Sequence, residues 1–297
     1  MKNEDIKIIV VPTDFSETAD VAINHAVKLA KLYGSEIHLV HVLEAYTANV
    51  NIPEFKEVDA VIVNLFEKVE QKLRAFGDKL SRENHIKVVV HAATGSIKGK
   101  VVNYAKKVGA GLIVTGTHGA SGFREFFMGS NSYRIVSEAP CPVISVNSHQ
   151  AEPEYKKIVL PIDSSPPSRQ KVVYAVDLAK RMGATIYLAE LVSNLDPNDK
   201  AKLNQKVKQV QEYLTKHGVE HITKEIKGTN LALLTLNFAT AVDADLIVMM
   251  TEQEPNVSGL FMGPFAQQVV NHSNIPVMSI RPEEHPENVH FSGSGGY

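Results

Sequence analysis

Short apolar runs without polar interruption, separated by stretches of helical periodicity, organise this chain from end to end. In the first half they lie at residues 6–11, 36–42, 87–92, 111–115 and 142–146. None alternates apolar with polar residues as a strand with one wet face would, so they predict parallel strands buried on both sides. Between them, helical patterns cover residues 16–32, closed by Gly34, about 54–84, 97–108, closed by Gly109, and 131–138. Alternating strand and helix implies right-handed crossovers and a doubly wound α/β sheet. The second half repeats the pattern, with strands at 157–162, 185–191, 219–226, 245–249 and 276–280.

The repetition extends to individual residues. Lys7-Ile8-Ile9-Val10-Val11-Pro12-Thr13-Asp14 reappears as Lys157-Ile158-Val159-Leu160-Pro161-Ile162-Asp163, so Asp14 and Asp163 correspond at an offset of 149 residues. Leu112-Ile113-Val114, Phe127-Met128-Gly129 and Pro142-Val143 match Leu246-Ile247-Val248, Phe261-Met262-Gly263 and Pro276-Val277 at an offset of 134, so the second copy is 15 residues shorter between its second and fourth strands. The fold class expected is therefore α/β, as two tandem doubly wound domains, each a five-stranded parallel sheet of order 3-2-1-4-5 flanked by helices. The domains are expected at 1–147 and 156–282, joined by a linker at 148–155 carried by the exposed polar stretch 147–154, and followed by a flexible tail at 283–297.

Chemistry concentrates where the fourth apolar run ends, at Gly116-Thr117-His118-Gly119, followed after nine intervening residues by Gly129-Ser130-Asn131-Ser132. Glycines at a strand-to-helix junction admit positive φ and close approach of a ligand, while the N–H groups at a helix start attract phosphate. Neither a Walker lysine nor G-x-G-x-x-G accompanies them. Standing alone, the glycines could also be turn punctuation. In a 3-2-1-4-5 sheet, ligands bind beyond the carboxyl ends of strands one and four, which brings Pro12-Thr13-Asp14 to the same crevice. Asp14 there is either a ligand contact or a helix cap shared with Ser16, and the two roles are compatible.

On these residues the chain resembles the universal stress protein family. Its nucleotide-binding members carry G-x-x-G, nine residues, then G-[ST], the spacing of Gly116, Gly119, Gly129 and Ser130. The opening at residues 8–16 and Ala139-Pro140-Cys141-Pro142-Val143 look like the family's first and last strands, and two such domains cover nearly the whole chain. The resemblance implies ATP as the ligand, with Mg²⁺ as an optional companion. Asp14 would contact the ribose, the backbone of Val42 the adenine, and Gly116, Gly119, Gly129, Ser130 and Asn131 the ribose and phosphates, with Pro12 and Thr13 lining the adenosine pocket. His118 and Ser132 belong to the same expected set, His118 with Arg124 either reaching phosphate or facing solvent. No catalytic residue and no metal ligand is assigned.

The second copy departs from the motif. Gly116, Gly119 and Ser130 become Met250, Gln253 and Pro264, and only Gly129 is retained, as Gly263. Pro264 has no N–H to donate. A degenerate domain kept for structure, partner binding or another ligand is expected.

Composition narrows the partners. With 31 Lys+Arg against 33 Asp+Glu, a net charge of −2 and no long basic run, nothing points to nucleic acid or an anionic membrane. No signal peptide or membrane span is read, and the single cysteine, Cys141, fits the cytoplasm and reads as a small buried hydrophobe. His217 and His221 read as surface or turn residues, His41 as a core or edge histidine, and Val58, Val61, Leu65, Val69, Leu73 and Phe76 as the core face of one long helix. The expected partners are an adenine nucleotide and protein partners of unstated identity. The two matching end strands are expected to pair antiparallel, making a pseudo-dimer within one chain, with a homodimer as a further option. Three functions follow: an ATP-binding stress or signalling module, a slow ATP hydrolase or phosphoryl- or adenylyl-transfer enzyme, and a nucleotide-independent scaffold.

Overall fold

Ser16 opens the first helix with its side chain accepting the Ala19 N–H, and Gly34, at φ 70°, closes it in the left-handed conformation. The computed structural model describes residues 6–44, 56–117, 128–150, 153–193, 195–251 and 262–282. The elements of the first copy are β1 Ile8–Pro12, α1 Glu17–Tyr33, β2 Glu36–Leu43, α2 Lys56–Asn84, β3 Val88–Thr94, α3 Ile97–Val108, β4 Leu112–Gly116, α4 Ser130–Glu138 and β5 Val143–Val146. Those of the second are β6 Lys157–Ile162, α5 Val172–Met182, β7 Thr185–Val192, α6 Pro197–Lys216, β8 His221–Lys227, α7 Leu231–Ala241, β9 Leu246–Met250, α8 Pro264–His272 and β10 Val277–Ile280. Pro166-Pro167 makes a short 3₁₀ turn, Pro166–Arg169, where the first copy already has helix. The expected helix start before residue 56 and the tail at 283–297 lie outside the described residues.

All the described strands join one sheet in the order β3-β2-β1-β4-β5-β10-β9-β6-β7-β8. Each copy is parallel within itself, and the two meet at an antiparallel seam pairing Val143 with Ser279, Ile144 with Met278 and Ser145 with Val277. Two hydrophobic cores follow from this sheet, and they divide by face. One buries Ala22, Leu29, Leu73 and Leu80 of α1 and α2 together with Leu178, Leu203 and Val210 of α5 and α6. The other joins Val101 and Ile135 of α3 and α4 with Phe238 and Val269 of α7 and α8. Each core therefore belongs to both copies.

Three expectations fail. β3 is half-buried along most of its length and β8 mixes half-buried with exposed positions, because these are the outermost strands, each with a neighbouring strand on one side only. The core face expected along α2 holds at Leu73, with Phe76 packed against it, but Val61 is 67% and Leu65 46% exposed. At about 1.5 Å per residue the 29-residue α2 is roughly 43 Å long, against roughly 23 Å for the 7-residue β3, so its N-terminal half overhangs the sheet. Finally, of the described residues in the polar stretch 147–154, expected to be exposed, only His149 and Glu154 are so, and Tyr155 just after it is 0% exposed and belongs to the first core.

Candidate functional site

β1 and β4 pair side by side, and their carboxyl ends open onto a crevice between Pro12-Thr13-Asp14 and Gly116-Thr117. The first wall is tightly tied. The Thr13 N–H donates to Val40 O at 2.9 Å, and Thr13 O accepts from His41 Nδ1 at 2.8 Å. Asp14 Oδ1 accepts the Ser16 N–H at 3.0 Å while the residue stays exposed, an Asx turn that leads into the Ser16 cap. Phe15, between them, sits at φ 61°, a conformation few non-glycine residues adopt. Its ring is held by His41 at 5.1 Å, Phe76 at 6.2 Å and Lys72 Nζ at 4.2 Å. Burial, and then the nearby Asp14 and Glu17 carboxylates, push Asp20 above its ordinary value, so the rim of this wall is acidic.

Val42 occupies the end of β2 and is buried. Backbone groups of a parallel strand face its two neighbours alternately: Val40 O is bonded on the β1 side and Leu43 O, to Gly95 N, on the β3 side. The N–H and C=O of Val42 therefore face the β1 side, beyond the point where β1 has ended at Pro12. They offer one donor and one acceptor to the crevice.

The second wall is the junction from β4 into α4. Thr117 is buried; its N–H donates to Val146 O at 2.7 Å and its carbonyl accepts the Gly129 N–H at 2.8 Å. Ser132 Oγ donates to Gly116 O at 2.7 Å, so this hydroxyl braces the wall and leaves the backbone N–H as the group Ser132 can offer. The first helical bond of α4 is Tyr133 N–H to Gly129 O, and no side chain caps the helix. The N–H groups of Ser130, Asn131 and Ser132 consequently point out of the helix start, at the positive end of its dipole. Gly129 has φ −57° and Gly116 ends a strand, so neither needs glycine for its backbone conformation, contrary to the positive-φ expectation. Among the described residues, a Cβ on Gly129 would meet Thr117 O at an ordinary contact distance of 3.5 Å. His118, Gly119 and Arg124 lie outside the described residues.

The second copy builds the same junction with other groups. Gly263 N–H donates to Thr251 O at 2.8 Å as Gly129 does to Thr117, yet Pro264 begins α8 and removes one outward N–H. Asp163 Oδ1 accepts the Ser165 N–H at 2.8 Å, and its own N–H donates to Ser168 Oγ at 3.0 Å. Lys206 reaches from α6 to the Ser164 and Ser165 carbonyls. At the ends of β7 and β8, Lys200 bridges Glu190 and Glu225. This crevice is held by its own side chains.

Elsewhere, His217 Nδ1 donates to Tyr213 O at 2.8 Å and His221 Nδ1 to Val219 O at 3.2 Å, so each serves its own turn. Cys141 is half-buried at the surface of the second core, and burial pushes its thiol up to about 12, leaving it protonated at neutral pH. Among the described residues no helix is long and apolar enough to cross a membrane. Two contributors gave no periodic or motif signal in sequence: Phe15, whose strain is a backbone property, and Asn271, which reaches the first copy from the second, its Oδ1 accepting the Met128 N–H at 3.1 Å.

The model of the Universal stress protein family matches residues 5–147 and again 154–281. Universal stress protein MJ0531 of Methanocaldococcus jannaschii is 30% identical over 146 residues, covering 49% of this chain and 85% of that protein. A universal stress protein of Mycolicibacterium smegmatis is 23% identical over 293 residues, 92% of this chain and 97% of its own. Among solved structures, a universal stress protein from Archaeoglobus fulgidus superposes with a TM-score of 0.71 at 19% identity, covering 94% of this chain and 98% of that one, which is a likeness of fold.

Proposed function

Since the chain belongs to the universal stress protein family through both of its halves, we propose that its first domain binds ATP and serves as a stress-response or signalling module, through nucleotide-dependent conformation or partner binding. One observation carries this reading: the N-terminus of α4 presents the N–H groups of Ser130, Asn131 and Ser132 behind Gly129, with no side-chain cap to occupy them. In this reading the backbone of Val42 meets the adenine edge, Asp14 the ribose, and Pro12 and Thr13 line the pocket between them. Gly116, His118, Gly119 and Gly129 complete the phosphate side, with Mg²⁺ as the counter-ion of the phosphates. Backbone amides hold phosphates without activating water, so the site is a receptor for ATP ahead of a catalyst.

The second domain supports a different role. Pro264 at the helix start and Lys206 on the Ser164 and Ser165 carbonyls occupy the functions a nucleotide would need, which favours a structural partner to the first domain. The test is binding stoichiometry. Adenine nucleotide released from the purified protein on denaturation, followed by calorimetric titration, is expected to give one ATP per chain. Absence of binding, or two equivalent sites, would overturn the assignment.

A further inference from the structure

The helix that faces the candidate nucleotide site is held by the second copy. Immediately before its cap, the Met128 N–H donates to the side-chain Oδ1 of Asn271, on α8, across the seam at 3.1 Å. At the other end of α4, Arg281 Nη1 lies 3.4 Å from the carbonyl of Ala139, the C-terminal cap. The bond at Met128 matters more for the crevice. Met128 is buried and precedes Gly129, so its N–H lies outside the helix and has no intrahelical acceptor. With Gly129 N–H on Thr117 O, this contact fixes two successive peptide groups just ahead of the three outward N–H groups.

The contact has no counterpart in the other direction. At the offset of 134 residues that relates the copies here, Asn271 corresponds to Ser137, whose hydroxyl donates to Tyr133 O within its own helix. The Met128–Asn271 contact therefore runs from the copy with Pro264 to the copy with the open helix start, whereas Arg281 on Ala139 O is answered by Asn147 Nδ2 on Ser273 O. We propose that Asn271 is a positioning residue for the nucleotide site of the first domain, so that the degenerate domain sets the orientation of the phosphate-facing end of α4. The inference rests on the ATP reading above. Its physical basis is preorganisation: donors held in place before the ligand arrives lose less freedom on binding.

The test uses the full chain and two readouts. Asn271→Leu removes the acceptor at similar volume, and Asn147→Leu is its control, since it removes another cross-seam bond, Asn147 Nδ2 to Ser273 O at 3.2 Å, without touching Met128. Calorimetric titration with ATP is expected to show affinity about five- to tenfold weaker for Asn271→Leu, the loss of one hydrogen bond's worth of ordering, and within about twofold of the parent for Asn147→Leu. Equal weakening in both would make Asn271 merely part of the seam and overturn the inference, as would an unchanged affinity. Hydrogen exchange of the bonded amides of Gly129 and Tyr133, measured without nucleotide, supplies the second readout. It should quicken in Asn271→Leu, stay at the parent rate in Asn147→Leu and return toward it in Asn271→Asp, which restores the acceptor. If the parent protein binds no ATP, the functional reading falls on its own, and unchanged exchange in Asn271→Leu would then sink the positioning role independently.

Discussion

The hydroxyl of Tyr155, in the link between the copies, donates to Nδ1 of His25 on α1, and Nε2–H of the same ring donates to Gln150 O at 2.7 Å. Both side chains are buried, and their rings meet edge to face with centroids 5.6 Å apart. The assignment of protons follows from the partners. A carbonyl can only accept, so Nε2 carries the proton and Nδ1 is left to accept from Tyr155. The neutral imidazole thus satisfies all three groups, and the link is fastened to the first domain over the sheet seam.

Acid should loosen this fastening. Burial lowers the His25 pKa below its ordinary value of 6.5, with the bond to Gln150 opposing in part. The unfolded chain therefore binds a proton at a pH where the folded chain does not, and stability falls as pH drops through about 6.5 toward the lowered value. The unfolding midpoint is expected to fall between about pH 7.5 and about pH 5.5, and to fall less in His25→Gln. Parallel pH profiles for the two proteins would remove His25 from the account.

Tyr155 separates the hydrogen bond from the packing. Tyr155→Phe keeps the ring and leaves Nδ1 of His25 buried without a donor, which costs about 1–3 kcal/mol. Tyr155→Ala also opens a cavity in a core shared by both copies, and the expected loss is about 3–5 kcal/mol. Urea denaturation of the three proteins gives the order; a Phe variant as stable as the parent would mean that the hydroxyl contributes nothing.

The repeat made the topology legible, because two offsets align ten apolar runs into two copies of one winding, and matching end strands point to the antiparallel seam of Ile144 with Met278. What stayed hidden depends on neighbours distant in sequence. Val88, Val89 and Val90 read as a strand covered on both faces, although the expected order 3-2-1-4-5 already puts it at the edge, where the apolar run ends up only half-buried. Val61 and Leu65 fit a core-facing stripe, yet whether a stripe meets a core depends on where the sheet stops. Tyr155 lies alone among polar residues, with no period to mark its burial. At the candidate site, residues from Pro12 to Asp14 and from Gly129 to Ser132 were legible through the junctions they occupy, whereas Asn271 has no local pattern at all.

Lys171 gives a second pH effect, of the same sign but in a more alkaline window. It is buried where the first copy has Ala22, at the break between the 3₁₀ turn and α5, with its ammonium donating to Ser168 O. Burial is the main cause that pushes its pKa down to about 8, with Asp163 opposing and Lys206 adding to the fall. Between that value and the ordinary 10.5 the unfolded chain holds the proton and the folded chain releases it, so stability rises with pH across the window. In Lys171→Met this rise should disappear. A Met variant that still gains stability over the same range would assign the effect to another group.

The sharpest test of the two crevices exchanges one residue between them. Gly129 has φ −57° and ψ 147°, and Gly263, which already precedes a proline, has φ −60° and ψ 158°. Both lie in the extended region that a following proline requires, and proline is well tolerated at the first position of a helix. Ser130→Pro should therefore leave α4 formed and the unfolding midpoint within about 2–4 °C of the parent, the change that about 1 kcal/mol produces in a chain of this size. It nevertheless removes an outward N–H and sets a ring where the phosphate is proposed to lie, so ATP affinity should drop at least about tenfold, the equivalent of about 1.4 kcal/mol. Pro264→Ser restores the missing N–H in the second copy, but Lys206 still fastens the opposite loop, and no second site is expected to appear. Titration of both variants decides the matter: undiminished binding by Ser130→Pro would place the phosphates away from α4, and a second equivalent of ATP in Pro264→Ser would show that the proline alone had closed the other crevice.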